Sequence, residues 1–156
     1  MRLLAIASVS AVLAFASMAS TATADQPAAT TFIAVLTSDQ ETGPCAGFSN
    51  SARGVAVLHV GDEAAGTVEW RLVANNLPGT DVAAHIHRGP PGVAGPVVQP
   101  LLFAPTDENG VIGTGSFSNP ALLAAIRANP AGYYVNVHTR TCPGGVIRGQ
   151  LGDHGP

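Results

Sequence analysis

The reactive chemistry of this chain rests on its histidines, His59, His85, His87, His138 and His154. His85 and His87 stand two apart in VAAHIH (82–87). In an extended segment side chains alternate, so both imidazoles leave one face, with Cα atoms roughly 6.6–6.8 Å apart. His138 lies in YYVNVHT (133–139) and shares a face with Asn136, while Val135 and Val137 take the other. Pairing of these two strands would bring His85, His87 and His138 together. Three imidazoles suit zinc or copper and leave a fourth position open. The reading that needs nothing beyond the protein, and the one preferred from sequence, is a polar network. In it, neutral histidines exchange hydrogen bonds with Asn136, Thr139, Arg148 and backbone carbonyls. His59 and His154 are read as incidental.

Arg148 leaves the same face of its strand as Gln150, placed to pair with Glu69 or to cap a row of carbonyls. Cys45 and Cys142 are the only cysteines. With no C-x-x-C spacing to suggest a reactive pair, and in an export context, they are expected to form a disulfide. The loop it closes is long, worth roughly 4 kcal/mol on the chain-entropy model. No G-x-S-x-G, H-E-x-x-H, phosphate-binding loop or dinucleotide fingerprint occurs. Ser116 and Ser118 have no recognisable base, and Asp62-Glu63 and Asp107-Glu108 read as solvated turn charges. The chemistry therefore points to a binding or structural protein rather than an enzyme.

The elements that must position these residues are short apolar runs broken by turn residues. Segments 31–37, 53–60, 66–75, 82–87, 97–103, 110–117, 133–139 and 146–151 read as strands. The third is the cleanest, with Val68, Trp70 and Leu72 facing a core and Glu69 and Arg71 facing away. Segment 119–128 is the one good helix, with Asn119 as its cap and Pro120 in the first turn. The loop RGPPGVAGP (88–96) is stiffened by proline and offers either a recognition surface or a simple turn. The fold class is thus all-β, an antiparallel sandwich or barrel-like fold of about seven or eight short strands with one short helix.

The N-terminus reads as a leader. Met1-Arg2 is followed by an uncharged apolar or small stretch to Ala19, then by Ala22-Thr23-Ala24 just before Asp25. That order is a secretory signal peptide over residues 1–24. Residues 25–30 are expected to be a loose mature N-terminus, 31–152 one β domain, and 153–156 a tail. The chain has no lysine, and from Asp25 onward it carries 6 arginines against 10 acids, a net charge of 6 − 10 = −4 with histidine neutral. Such a surface has no basic stripe for phosphate backbones, so nucleic acid is excluded as a main partner. Once the leader is removed, no segment suits a membrane span.

Two linked segments carry a resemblance. One runs Ala84-His85-Ile86-His87 through Gly95-Pro96-Val97-Val98. The other runs Tyr134-Val135-Asn136-Val137-His138-Thr139 to Pro143-Gly144-Gly145-Val146-Ile147-Arg148-Gly149-Gln150-Leu151. Together they resemble the signature of the CHRD (chordin-type) family over roughly residues 31–152. Two positions depart from it: Val146 stands where the family often has glutamate, and Cys142 replaces a small or polar residue before the turn. The resemblance implies a secreted or periplasmic module with no general enzymatic activity. Its partner would be a protein or other extracellular ligand. The alternative is a copper- or zinc-binding extracytoplasmic protein that uses the three histidines.

Overall fold

The computed structural model describes residues 28–107 and 109–153. The expected leader therefore lies outside the described residues, as do Asp25 to Pro27 of the expected mature N-terminus and His154. Period-two alternation becomes eight strands: β1 (Thr31–Thr37), β2 (Arg53–Asp62), β3 (Thr67–Asn75), β4 (Asp81–Arg88), β5 (Val97–Leu101), β6 (Gly110–Ser118), β7 (Tyr133–Thr139) and β8 (Ile147–Asp153). One helix, α1 (Pro120–Ala128), separates β6 from β7. Asn119 caps it as expected, its side chain accepting the Leu122 amide at 3.0 Å.

All pairs are antiparallel, and the strands follow the order β5-β4-β7-β8-β1-β2-β3-β6 in one nearly closed, barrel-like sheet. Among the described residues the fold is all-β with a single α-helix, in agreement with the sequence. Some boundaries move. β5 stops at Leu101 rather than Phe103: Leu102 turns out to solvent at 82% exposure, and the chain next pairs at Thr106 with Asp81. As an edge strand, β5 tolerates Pro100, whose missing N–H would break an inner ladder. Asp153 belongs to β8 instead of the tail.

The inner face holds Phe32, Ala34 and Leu36 of β1, Ala56 and Leu58 of β2, and Trp70 and Leu72 of β3. Ile86 comes from β4, Val135 and Val137 from β7, and Ile147 and Leu151 from β8, with Leu122, Leu123 and Ile126 added by the helix. Each buried leucine or isoleucine contributes about 1.5–3 kcal/mol by leaving water.

The outer face is not uniform. Over β1 and β2 it is open, with Val35 at 61% and Val55 at 37% exposure. Over β4, β7 and β8 it is covered by the 89–96 loop and by the segment after β1. There the polar residues His87, Asn136 and Arg148 are buried. The segment after β1 holds a short 3-10 turn, Ser38–Gln40. A disulfide between Cys45 and Cys142 ties it to the turn joining β7 and β8.

Candidate metal centre

Strand register assembles the histidines. In the β4–β7 ladder Ala83 faces His138, His85 faces Asn136 and His87 faces Tyr134. Odd positions of β4 and even positions of β7 therefore share the outer face. On β8, Arg148 faces Asn136 and Gln150 faces Tyr134, extending the same row. His85, His87 and His138 each offer one ring nitrogen, all within 4.8 Å of one another.

Hydrogen bonds fix which nitrogens are offered. His87 Nδ1 lies 2.9 Å from the Gly95 carbonyl, and His138 Nδ1 lies 3.0 Å from the Pro143 carbonyl. A carbonyl only accepts, so both Nδ1 atoms carry the proton and both neutral rings present a bare Nε2. His138 Nε2 sits 3.1 Å from His85 Nδ1, which donates to it in the metal-free arrangement. His87 Nε2 is buried and has no partner. Carbonyl-anchored Nδ1–H groups with unprotonated Nε2 atoms are the orientation metal-binding histidines need. An ion about 2.0–2.1 Å from each nitrogen sets tetrahedral N–N separations near 3.4 Å. The His85–His138 pair stands close to that, and His87 would be drawn inward. The ion would replace the proton between His85 and His138, and His85 would keep its own proton on Nε2.

The rings are held neutral. Burial, then the neighbouring His138 and His87, pull His85 down to about 4. His87 is lowered by burial against the opposing bond to Gly95, with the Arg148 charge helping. His138 is lowered by burial against its bond to Pro143. Rings that carry a single proton at neutral pH keep a nitrogen lone pair for a ligand bond, and three of them with no thiolate suit copper(II) or zinc.

The surrounding shell is built by aromatic and cationic contacts. The Tyr134 ring stacks on His87 at 4.7 Å and 9°, and the Arg148 guanidinium carbon lies 3.4 Å from the Tyr134 ring centroid. Arg148 is 1% exposed and donates to the Val93 and Pro90 carbonyls and to Gln150 Oε1. Gln150 Nε2 donates to the carbonyls of Gly89, Ala131 and Tyr133. These bonds pin the 89–96 loop, which presents the Gly95 carbonyl to His87. Gly95 is required there, because a Cβ would lie 1.7 Å from the Arg88 carbonyl oxygen.

Several sequence expectations take a different form. Arg148 caps carbonyls and does not pair with Glu69, which sits on β3, three strands away from β8. The histidines bond to one another and to carbonyls, while Asn136, Thr139 and Arg148 are engaged elsewhere. Thr139 falls on the opposite face of β7 from His138, and its Oγ1 accepts the Cys142 amide at 3.0 Å. Asn136 Nδ2 donates to the Glu41 carboxylate at 2.9 and 3.2 Å. His59 lies apart, against Thr31 Oγ1. Glu63 is no free turn charge, since it forms an ion pair with Arg127. Tyr134 was legible by parity with Asn136 and His138. Glu41 carried no signal, because it reaches the site from a segment without repeating pattern.

The family model for the CHRD domain matches residues 32–151, from the start of β1 into β8. The chain belongs to the CHRD family. That match spans the whole sheet and includes every residue of the histidine cluster. The CHRD assignment points to a non-catalytic module of unspecified role, of a kind typically found outside cells. The disulfide fits such a setting. No helix among the described residues is long and apolar enough to cross a membrane. Comparison of the CHRD chain with curated proteins and with solved structures finds no match.

Proposed function

We propose that this CHRD domain is an extracytoplasmic, non-catalytic binding module whose ligand is a copper or zinc ion held by His85, His87 and His138. The observation that carries the reading is the buried, partnerless Nε2 of His87, on a ring whose other nitrogen is anchored to the Gly95 carbonyl. A purely structural histidine is expected to satisfy both nitrogens once buried. The apolar stretch ending in Ala22-Thr23-Ala24 and the disulfide support export. The 3.1 Å bond between His85 and His138 favours a second reading, in which the cluster only fixes the register of β4 and β7.

The two readings part on a thermal melt of metal-free protein with and without Zn²⁺ or Cu²⁺. A ligand that binds only the folded state raises the melting temperature, by about 2.7 kcal/mol of added stability at a hundredfold excess over Kd. His87→Ala should abolish the rise. A melting temperature that metal leaves unchanged refutes the metal reading and leaves the register reading standing.

A further inference from the structure

We infer that the Cys45–Cys142 disulfide governs the affinity of the three-histidine site, so that the oxidised domain holds its ion and the reduced domain yields it more readily. This rests on reading the cluster as a metal site.

The connection is short. Cys142 is wholly buried in the turn that follows β7, and the next residue, Pro143, supplies the carbonyl that fixes the His138 Nδ1–H. His138 Nε2 in turn lies 3.1 Å from His85 Nδ1. Placement of the Pro143 carbonyl thus decides whether His138 aims its lone pair at the shared point. The same turn is packed against the segment that carries Cys45. A Cβ on Gly145 would stand 2.6 Å from Asn136 Nδ2 and 2.9 Å from Glu41 Oε2, so side chains from both sides close on this turn. Gly145 also has φ +119, a conformation that suits glycine.

The segment after β1 is held mainly by bonds within itself, among them the Ser38 hydroxyl on the Cys45 carbonyl and the Ser49 amide on the Ser38 hydroxyl. It folds back locally, with the Gly47 amide on the Ser38 carbonyl and the Ala46 amide on the Gly43 carbonyl. The disulfide joins it to the closing turn, and the Glu41–Asn136 hydrogen bonds join it to β7. Asn136 is the residue between Tyr134 and His138 on the outer face of β7, so both links end beside the cluster. Breaking the disulfide removes the covalent one. The turn then keeps only its own hydrogen bonds, including Cys142 N to Thr139 Oγ1, and the Pro143 carbonyl gains freedom to turn away from His138.

The chemical step is thiol–disulfide exchange. A dithiol reductant gives two electrons and two protons, the Cys45–Cys142 S–S bond breaks to two thiols, and the reductant leaves as its own disulfide. Because coupling free energies are reciprocal, whatever factor the disulfide adds to metal affinity, bound metal must add to the resistance of the disulfide to reduction.

Ni²⁺ is the probe of choice, since it favours imidazole and is not among the ions that thiolates select. Calorimetric titration should give at least a tenfold weaker Ni²⁺ affinity for a folded Cys45→Ala/Cys142→Ala variant than for oxidised wild type. Equal affinities, or absence of Ni²⁺ binding to oxidised wild type, overturn the inference, while the metal reading stands or falls on the Zn²⁺ and Cu²⁺ melt. If the double variant does not fold, by the emission of Trp70, wild type alone decides. Saturating Ni²⁺ should move the midpoint of the disulfide in a dithiol redox titration to more negative potential by about 30 mV for each tenfold of coupling. His87→Ala should abolish that movement. A midpoint that Ni²⁺ leaves in place overturns the inference.

Discussion

Replacing Glu41 by glutamine should change how stability depends on pH. Glu41 is 7% exposed, and its carboxylate accepts only the Asn136 side-chain amide among side chains. Burial is the main influence and pushes it up to about 7 from an ordinary 4.5, against the Arg148 charge, the Thr42 amide and Asn136. Between those two values the folded chain keeps a proton that the unfolded chain has lost. Stability from this group is therefore fully present below 4.5 and is lost as pH rises through 7. At about 1.4 kcal/mol per pH unit, the full interval amounts to about 3 kcal/mol. Glutamine keeps a carbonyl for the Asn136 amide but has no proton to lose. The stability difference, Glu41→Gln minus wild type, should thus be flat at acid pH, rise from pH 4.5 by about 3 kcal/mol in favour of the variant, and level off above 7. The histidines titrate in the opposite sense. With folded values lowered, to about 4 for His85, they cost stability as pH falls below 6.5. They are common to both proteins and cancel in the difference. Urea unfolding followed by Trp70, the only tryptophan, across this pH range makes the measurement. A difference that does not vary with pH would refute the assignment of Glu41 as a buried carboxyl that folding holds protonated.

Other outcomes follow from the same geometry. Asn119→Ala removes the cap on the Leu122 amide and should cost about 1 kcal/mol in chemical denaturation without altering metal binding. Gly95→Ala sets a Cβ against the Arg88 carbonyl, so the 89–96 loop must shift. The variant should lose the metal-induced rise in melting temperature while keeping a β-type circular dichroism spectrum, and retention of the full rise would show that the Gly95 carbonyl does not orient His87. N-terminal sequencing of the exported protein should begin near Asp25, and an intact Met1 there would contradict processing after Ala24.

Strands were legible because alternation on a half-buried sheet is imposed by burial, residue by residue. Val68, Trp70 and Leu72 could face nothing but a core, and the parity of His85, His87 and His138 followed from the same rule. The helix was legible from Asn119-Pro120, whose chemistry is local. What escaped lay in segments without period. Glu41, the Gly95 carbonyl and the Pro143 carbonyl reach the site from loops whose paths depend on long-range packing. Of the two roles open to Arg148, pairing with Glu69 and capping carbonyls, charge and parity allowed both, while the strand order, with β1 and β2 between β8 and β3, leaves only the second. Thr139 is a polar neighbour of His138, but alternation turns its side chain to the other face, where it meets the Cys142 amide.

The strand order also sets when the site can exist. His85 and His138 are separated by 53 residues and meet only when β4 finds β7, after β5, β6 and the helix have been bypassed. Closing so long a loop is an entropic cost met before any contact repays it, and chains dominated by such pairings fold slowly. No shorter fragment that lacks β7 can hold the ligand set, and a partly synthesised chain has nothing to offer an ion. An ion bound as proposed would, on this topology, be a late arrival: it would meet a finished domain instead of guiding one into shape, and the chain would reach its fold unaided.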